Sequence, residues 1–257
     1  MIFLKTEDEI ALMRAANQLV GKTLAEVGKH VQPGVTTNEL NKVADTFIRD
    51  NGAVPTFLGY PNPYGQPFPA SICASVNDVV VHGIPNDEPL KEGDIVSVDC
   101  GVLLNGYNGD SCYTFPVAEV SQEVKDLLRT TKESLYRGIE AAKVGNRIGD
   151  IGYAIQSLCE AQGFSVVRQF VGHGIGREMH EDPQVPNYGR RGNGPVLKNG
   201  LCIAIEPMIN AGKHGVSVQP DGWTVLTRDG SLSAHFEHTV VVTNDGYEIL
   251  TGDDNFE

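Results

Sequence analysis

Two carboxylates in this sequence end apolar segments that predict β-strands. Asp99 closes the strand predicted over 94–100, and Glu206 closes the comparable strand over 200–206. A carboxylate among Val and Ile is costly unless it is paired or binds a metal. Taken alone, each acid is as consistent with a strand end that turns to solvent as with a ligand. Their comparable settings make them a candidate pair.

Three further side chains could join this pair. Asp110 follows a Gly-rich turn, where the return strand of a hairpin would carry it, although an ordinary turn aspartate explains it equally well. Glu237 is flanked by histidines and leads into a strongly β-prone run. His173 lies between two glycines. A satisfied core histidine is the ordinary interpretation, but beside four carboxylates a neutral imidazole is a natural metal ligand.

The charge of such a cluster indicates what it binds. Four carboxylates within a few ångströms cannot all stay ionised, because close like charges raise one another's pKa. Two divalent cations would cancel them. Mixed carboxylate and imidazole ligands suit Mn²⁺, Fe²⁺, Co²⁺ or Zn²⁺, and the lack of thiolates argues against a structural zinc. Paired metals lower the pKa of a water held between them, which predicts a hydrolase.

Composition limits the class of protein. The 257 residues include 20 Lys and Arg against 33 Asp and Glu, giving a net charge of −13. This balance argues against a nucleic-acid surface, which needs clustered basic residues. No apolar run approaches the roughly 18–20 residues that cross a bilayer, and the N-terminal segment lacks a signal-peptide pattern. Five cysteines without a Cys-x-x-Cys pair predict reduced thiols. We therefore expect a globular cytoplasmic protein.

Four helices are predicted to position these residues. Thr6 and Thr36 each precede a glutamate by three residues, which is the capping-box pattern at a helix start. Two more helices are predicted from Ser121 and from Asp150, with apolar residues at helical spacing. Strand-like segments lie between the two pairs and after the second pair, ending in a hairpin pattern.

The second pair of helices repeats the first at a constant offset, which places Gly34 on Gly145. The strand segments that follow each pair also recur in the same order. We therefore predict an α+β fold with two pseudo-symmetric helix–helix–strand halves around a central antiparallel sheet. The halves are expected at about 6–115 and 121–250, within a single domain, 1–257.

The five candidate ligands, in this order, resemble those of the pita-bread metallopeptidases, and the local strings are similar to those of type I methionine aminopeptidases. The strings are VHGIP at 81–85, SVDCG at 97–101, GHGIGR at 172–177, IEPM at 205–208 and FEHT at 236–239. The resemblance spans nearly the whole chain. It implies the pita-bread fold and removal of the initiator methionine from peptides and nascent proteins with a small second residue.

The resemblance also implies roles for the ligands. Two divalent cations (Co, Mn, Fe or Zn) would be held by Asp99, Asp110 and Glu237, the last two bridging both ions. His173 and Glu206 would complete one side, and Glu206 would carry the proton of the attacking water. These assignments come from the resemblance and not from spacing.

Two histidines are implied to contact the peptide instead of the metals. His82 would lie near the leaving amide nitrogen, and His180 near the scissile carbonyl. Without the resemblance, both would be ordinary loop histidines.

An apolar pocket for the methionine side chain is implied as well. Phe57 stands where many relatives carry Cys, and core packing is its alternative interpretation. The proline-rich loop 61–69 is longer than the usual stretch of the family. The implied pocket walls are Phe57, Tyr60, Phe68, Cys73 and Trp223.

Two alternative functions stay open. An X-Pro aminopeptidase or dipeptidase of the same fold would share the metal ligands, although such proteins generally carry an additional N-terminal domain. A non-catalytic binding protein on this scaffold is the second alternative, and the presence of all five ligands argues against it.

The implied partners are N-terminal Met peptides and nascent chains, met by transient contact with the ribosome. Arg190, Arg191 and Lys198 are candidates for that contact, although a solvated loop explains them more simply. We expect a monomer with no membrane contact and no direct nucleic-acid readout.

Overall fold

Four helices and fifteen strands form the part of the chain that the structure, a computed structural model, describes: residues 1–63 and 65–252. Tyr64, in the proline-rich loop, lies outside the described residues. The helices are α1 (Glu7–Gly28), α2 (Thr37–Asp50), α3 (Gln122–Glu140) and α4 (Ile148–Ala161). The strands are β1 (Val54–Pro55), β2 (Ile72–Val76), β3 (Val79–Val81), β4 (Ile95–Leu104), β5 (Tyr107–Pro116), β6 (Ser165–Val166), β7 (Gly172–Gly174), β8 (Glu181–Val185), β9 (Cys202–Ile205), β10 (Met208–Asn210), β11 (Val216–Val218), β12 (Val225–Thr227), β13 (Ser233–His235), β14 (His238–Thr243) and β15 (Gly246–Ile249).

The predicted helix starts are confirmed at α1, α2 and α3. Thr6 and Thr36 are the N-caps of complete capping boxes, in which each threonine accepts the backbone N–H of the glutamate three residues on. Ser121 caps α3 in the same way by accepting from Val124. These contacts satisfy backbone donors that the first helical turn leaves free.

The start of α4 differs from the prediction. The helix begins at Ile148 and not at Asp150. The Asp150 carboxylate accepts the backbone N–H of Arg147 at 2.7 Å, so this acid closes the first turn from inside the helix.

Helices α2 and α4 occupy the positions that the predicted internal repeat gives them. Helices α2 and α4 have the same length, and both ends of α4 follow the ends of α2 at the offset that relates Gly34 to Gly145. Gly34 and Gly145 both have a φ of +91°, and the glycines after the two helices, Gly52 and Gly163, have φ of +75° and +86°. The same left-handed turns therefore begin and end the matching helix of each half.

The strand that carries Asp99 is longer than predicted. It continues to Leu104, so Asp99 lies inside β4 and does not close it. The reason is the tight turn at Asn105 and Gly106, which lets β5 pair with β4 along its whole length. Asp110 lies on that return strand, as the sequence predicts.

All pairings between these named strands are antiparallel, and they form four sheets. The largest two are β1-β4-β2, with β5 on β4, from the first half, and β15-β14-β9-β7-β8 from the second. The smaller two are β13-β10-β6 and β11-β12-β3.

The two larger sheets meet through hydrogen bonds that join β5 to the start of β14 and to Glu237, the residue before it. The Ser111 hydroxyl donates to the Glu237 carbonyl at 2.6 Å, and Glu237 N–H donates to the Cys112 carbonyl at 2.9 Å. The Thr239 hydroxyl donates to the Asp110 carbonyl at 2.9 Å. This junction joins the halves at the two acids.

Each half has its own hydrophobic core, built at matching positions. Leu24 and Leu40 are buried in the first core, and their counterparts in the repeat, Leu135 and Ile151, are buried in the second. Within the described residues, no helix has both the length and the apolar character needed to span a membrane. All five cysteines are buried free thiols.

Candidate metal centre and substrate pocket

A cavity of about 690 Å³, a volume that includes the open solvent at its mouth, lies between the two halves. All twelve site residues singled out from the sequence line it, so the structure brings the whole set together. Their individual roles stay predictions. The lining residues are Phe57, Tyr60, Phe68, Cys73, His82, Asp99, Asp110, His173, His180, Glu206, Trp223 and Glu237.

Two of the acids come from the β4–β5 hairpin. Asp99 pairs with Cys112, and Asp110 pairs with Gly101. Because paired residues share a face and side chains alternate along a strand, both carboxylates project from the same face of the hairpin.

The other two acids flank a single ladder of the second half. Glu206 directly follows β9, and Glu237 directly precedes β14. These strands pair with His238 opposite Ile205, which places the two glutamates side by side at the end of the ladder. The carbonyl of Glu206 is held by the Asn187 side-chain amide at 2.9 Å.

His173, on β7, points its Nε2 at the acids. This nitrogen lies 3.5 Å from Asp110 Oδ2 and 3.7 Å from Glu206 Oε1. The other ring nitrogen, Nδ1, donates to the Gly174 carbonyl at 2.9 Å. A neutral ring with its proton on Nδ1 presents a bare lone pair at Nε2, which is the form that binds a metal.

The carboxylates are destabilised as anions in this environment. Burial raises the pKa of Asp99 and of Asp110, and for Asp110 the charges of Asp99 and Glu206 raise it further. Burial and the Glu237 and Asp99 charges raise the pKa of Glu206, and burial with the two aspartates raises the pKa of Glu237. The metal-free cluster therefore has no positive charge that would offset its carboxylates.

The surrounding histidines cannot supply that charge near neutral pH. Burial and the neighbouring His180 lower the pKa of His173 to about 3 and that of His82 to about 4. Burial, with His82 nearby, lowers the pKa of His235 to about 3. Burial also lowers the pKa of His180. All four imidazoles are neutral at pH 7.

These residues fit a site for divalent cations. Three buried carboxylate oxygens, Asp99 Oδ1, Asp110 Oδ1 and Glu237 Oε1, have no hydrogen-bond partner among the described residues. Buried polar atoms without a partner are rare and costly. Ligand atoms of Asp110, Glu237 and His173 also lie within 4.8 Å of one another, all buried. Oxygen and imidazole donors at this spacing suit Mn²⁺, Fe²⁺, Co²⁺ or Zn²⁺.

Helix α1 holds the acid-bearing hairpin in place. The Asn17 side chain is buried, donates to the Met13 carbonyl at 2.9 Å and accepts the Asp110 backbone N–H at 3.2 Å. A Cβ on Gly109 would lie 2.8 Å from the Asn17 backbone nitrogen. Only glycine therefore lets the helix approach the strand this closely.

His82 follows β3 in a left-handed backbone conformation, with a φ of +58°. Its ring packs edge-on against Phe170 at 5.5 Å and Trp223 at 6.1 Å between centroids. A positive φ is uncommon in residues other than glycine, although His, Asn and Asp adopt it more often than the rest, and such conformations cluster at functional sites. It turns the imidazole toward the cavity between the two aromatic rings.

His180 lies at the cavity rim and is held by Tyr60. The Tyr60 hydroxyl is 2.5 Å from His180 Nδ1, and the two rings meet edge-on with centroids 5.3 Å apart. The His180 ring also lies 4.3 Å from the His173 ring, which connects the rim to the acid cluster.

Residues of the proline-rich loop contact the apolar wall of the cavity and hold it in place. The Trp223 indole N–H donates to the Gln66 carbonyl at 2.9 Å, and its ring meets Phe68 edge-on at 5.2 Å. The Asn62 amide donates to the Gly222 carbonyl at 3.1 Å. The described part of the loop therefore closes against the turn that carries the tryptophan.

Three residues at the site are not predicted from the sequence. Asn17 and Phe170 carry no local signal, because only tertiary packing brings them to Asp110 and His82. His235 could have been found, since it precedes Glu237 by two residues.

Comparison with known proteins places these features in context. Residues 11–244 match the family model of metallopeptidase family M24. A methionine aminopeptidase of Clostridium perfringens is 55% identical over 251 residues, which is 98% of this chain and 99% of that protein. Methionine aminopeptidase 1 of Bacillus subtilis is 50% identical, with 98% of this chain and 99% of that protein covered.

Solved structures give the same result for the fold. The crystal structure of methionine aminopeptidase from Rickettsia prowazekii has a TM-score of 0.95 and 49% identity, covering 98% of this chain and all of that one. The Xaa-Pro dipeptidase of Bacillus anthracis has a TM-score of 0.77 at 23% identity, covering 97% of this chain but 62% of that one. The second likeness shows the fold alone. Together they confirm the predicted α+β pita-bread fold.

Proposed function

The chain belongs to metallopeptidase family M24, and we propose that it removes the N-terminal methionine from peptides and nascent proteins whose second residue is small. One observation carries this proposal: a single cavity joins four carboxylates and an imidazole to an apolar wall. The acid end fits cations that activate water, and the apolar end fits a methionine side chain.

We propose two divalent cations, drawn from Co, Mn, Fe and Zn. Asp99, Asp110, His173, Glu206 and Glu237 would hold them, because four carboxylates carry the charge that two such cations cancel. When bound, these cations supply Lewis acidity and lower the pKa of a water molecule.

The reaction also needs a group that carries protons. The Glu206 carboxylate accepts the proton of the attacking water and returns it to the leaving amine. In the metal-free protein its pKa is raised, first by burial and then by the Glu237 and Asp99 charges, so this carboxylate can take up a proton. One of its oxygens lies 3.7 Å from His173 Nε2, so the carboxylate borders the other candidate ligands.

Two neutral imidazoles hold the peptide. We assign the donor role in the hydrogen bond between the Tyr60 hydroxyl and His180 Nδ1 to the hydroxyl, because the His180 proton then lies on Nε2, where it can donate to the scissile carbonyl oxygen. Burial, with the Glu178 and Asp110 charges, raises the pKa of Tyr60, so this hydroxyl stays protonated. His82 lies between Phe170 and Trp223 and contacts the leaving nitrogen.

The methionine side chain is bound by apolar contact. Phe57, Phe68 and Cys73 are buried, and Trp223 is half-buried, so all four present carbon or sulfur surface to the cavity. Full burial of a methionine side chain contributes about 1.5–3 kcal/mol. Thioether contacts with aromatic rings contribute about 0.3–1.5 kcal/mol more.

The test is hydrolysis of defined peptides by the metal-loaded protein, followed by mass spectrometry. Met-Ala-Ser should release free methionine, and N-acetyl-Met-Ala-Ser should not, because the enzyme needs the free α-amine. A chelator should stop the release. Cleavage of Gly-Pro-type peptides alone would support the X-Pro alternative. Cleavage of neither kind of peptide, by a protein that also binds no metal, would support the binding-protein alternative.

We also propose that residues 1–257 act as one monomeric catalytic domain in the cytoplasm and contact the ribosome transiently. Arg190, Arg191 and Lys198 are exposed, which suits such contact. Light scattering tests the monomer. Co-sedimentation with ribosomes, before and after the three residues are changed to glutamate, tests the contact.

A further inference from the structure

We propose that His235 is a positioning residue for Glu206, which it holds by donating its Nε2–H to the free carboxylate oxygen. The inference rests on the proposed function, in which Glu206 binds a cation and carries a proton. His235 is 2% exposed, and its Nε2 has no hydrogen-bond partner in the described part of the chain. That nitrogen lies 3.7 Å from Glu206 Oε2.

Glu206 lies between two imidazoles that face different oxygens. Its Oε1 is 3.7 Å from His173 Nε2, and its Oε2 is 3.7 Å from His235 Nε2. His173 has its proton committed to the Gly174 carbonyl and therefore offers a lone pair. His235 has its buried Nε2 facing a carboxylate oxygen, and a lone pair there would be repelled. The two rings therefore have opposite roles: His173 offers a lone pair to a cation, and His235 donates an N–H to Glu206.

The backbone of His235 is fixed, which makes the ring a firm support. Its N–H donates to Thr114 Oγ1 at 3.0 Å, and its carbonyl accepts from the same hydroxyl at 2.6 Å. Thr114 belongs to β5, the strand that carries Asp110. The backbone of His235, a residue of the second half, is therefore hydrogen-bonded to the first half. Its ring faces Glu206 of its own half.

The remaining gap is small. A nitrogen–oxygen distance of 3.7 Å exceeds the usual limit of about 3.2 Å by about half an ångström. A rotation of the Glu206 carboxylate about its last side-chain bond would bring Oε2 toward His235 Nε2. Donors of this kind orient ligating groups, and their loss costs about 10- to 100-fold in metal affinity or activity.

The test compares His235→Gln, which keeps an N–H donor, with His235→Leu, which keeps bulk and loses the donor. Isothermal titration with Mn²⁺ should show about 10- to 100-fold weaker binding for the leucine variant. The glutamine variant and the exposed control His214→Leu should bind as the wild type does. Unfolding temperatures of the three metal-free variants should agree, which separates positioning from folding.

Two results would overturn the inference: unchanged Mn²⁺ affinity in His235→Leu, or equal losses in the leucine and glutamine variants. If the leucine variant does not fold, nitrogen NMR of the wild type decides, since the inference requires the His235 proton on Nε2. Failure of the proposed function is distinguishable, because wild-type protein would then bind Mn²⁺ without cleaving Met-Ala-Ser.

Discussion

Gly34 and Gly145, at equivalent positions of the two halves, have the same backbone φ of +91° in the turns before α2 and α4. Among the described residues, nothing lies within 4 Å of the Cβ that either would gain, so a side chain there meets only backbone strain. We predict that Gly34→Ala and Gly145→Ala each lower the free energy of unfolding by about 1–2 kcal/mol. Urea denaturation measures both.

The control for this pair is Gly215→Ala, whose Cβ would meet only the Arg228 side chain, at 3.4 Å, among the residues described. Its φ lies outside the left-handed region, so its loss should stay below about 0.5 kcal/mol. If neither Gly34→Ala nor Gly145→Ala lowered the free energy of unfolding, the prediction of backbone strain in both left-handed turns would be wrong.

Asp110→Asn should abolish metal-dependent turnover and leave the metal-free protein at least as stable as the wild type. The reason is that burial and the Asp99 and Glu206 charges already disfavour the Asp110 anion, raising its pKa. Calorimetry with and without Mn²⁺ checks this. Wild-type protein should gain about 2.7 kcal/mol at 100 times the dissociation constant, and the variant should gain little.

An exposed acid provides the comparison for that variant. Asp245→Asn, in the turn between β14 and β15, should keep both the metal-induced gain and the turnover of the wild type. Full activity in Asp110→Asn would show that this residue is not a ligand.

Acid should weaken the first helix through Glu9. The pKa of this carboxyl is lowered to about 2, first by the Thr6 backbone N–H and then by the Tyr107 hydroxyl. Because the folded pKa lies below the ordinary value of 4.5, the stabilisation is present above pH 4.5 and is lost as the pH falls toward 2. Glu9→Gln should therefore be less stable than the wild type at pH 6, with a smaller difference at pH 3.

Urea denaturation at the two pH values checks this prediction. Glu7→Gln, two residues earlier in α1, is the control, because neither of the Thr6 and Tyr107 hydrogen bonds involves Glu7. A Glu9→Gln difference that stays constant with pH would mean that the carboxylate charge contributes nothing.

Local chemistry makes much of this fold predictable. The capping boxes of α1 and α2 depend on residues three apart, so Thr6 and Thr36 mark helix starts in the sequence itself. The same rule misplaces the start of α4, because Asp150 resembles a first residue but closes the box from its third position. The hydrophobic pattern predicts a strand end at Asp99 because this charged residue interrupts the apolar run. In the structure β4 continues to Leu104.

The acid cluster is predictable for a different reason. The predicted internal repeat relates Asp99 to Glu206, so the shared order of the segments predicts that these two acids lie close together, whatever the lengths of the loops. The relation between Glu206 and His235 has no such signal. It depends on the pairing of β10 with β13, which sets His235 opposite Met208, and on the Thr114 contacts that fix its backbone.

The N-terminal segment should depend on one buried ion pair. Lys5 binds Glu181, the first residue of β8, and their side chains are 5% and 8% exposed. Lys5→Met leaves the carboxylate buried and unpaired, which costs about 3–5 kcal/mol. The double variant Lys5→Met with Glu181→Leu should regain most of this loss. Chemical denaturation of the two variants decides, and equal losses in both would contradict the pairing.

Loss of the Tyr60 hydroxyl should slow catalysis without loosening the pocket. Tyr60→Phe keeps the ring edge that packs on His180 and removes only the hydroxyl that is hydrogen-bonded to Nδ1. A hydrogen bond of about 0.5–1.5 kcal/mol corresponds to a fall of about 2- to 12-fold in kcat, because the His180 proton is no longer confined to Nε2.

KM for Met-Ala-Ser should change little in this variant, since the apolar wall is intact. Tyr247→Phe, at an exposed position of β15, is the matched control and should behave as the wild type. Steady-state kinetics separates kcat from KM. A rise in KM at constant kcat would indicate that Tyr60 only lines the pocket and does not act through His180. Nitrogen NMR of His180 adds a direct readout, because the ratio of its two neutral tautomers should shift toward Nδ1–H when the hydroxyl is absent.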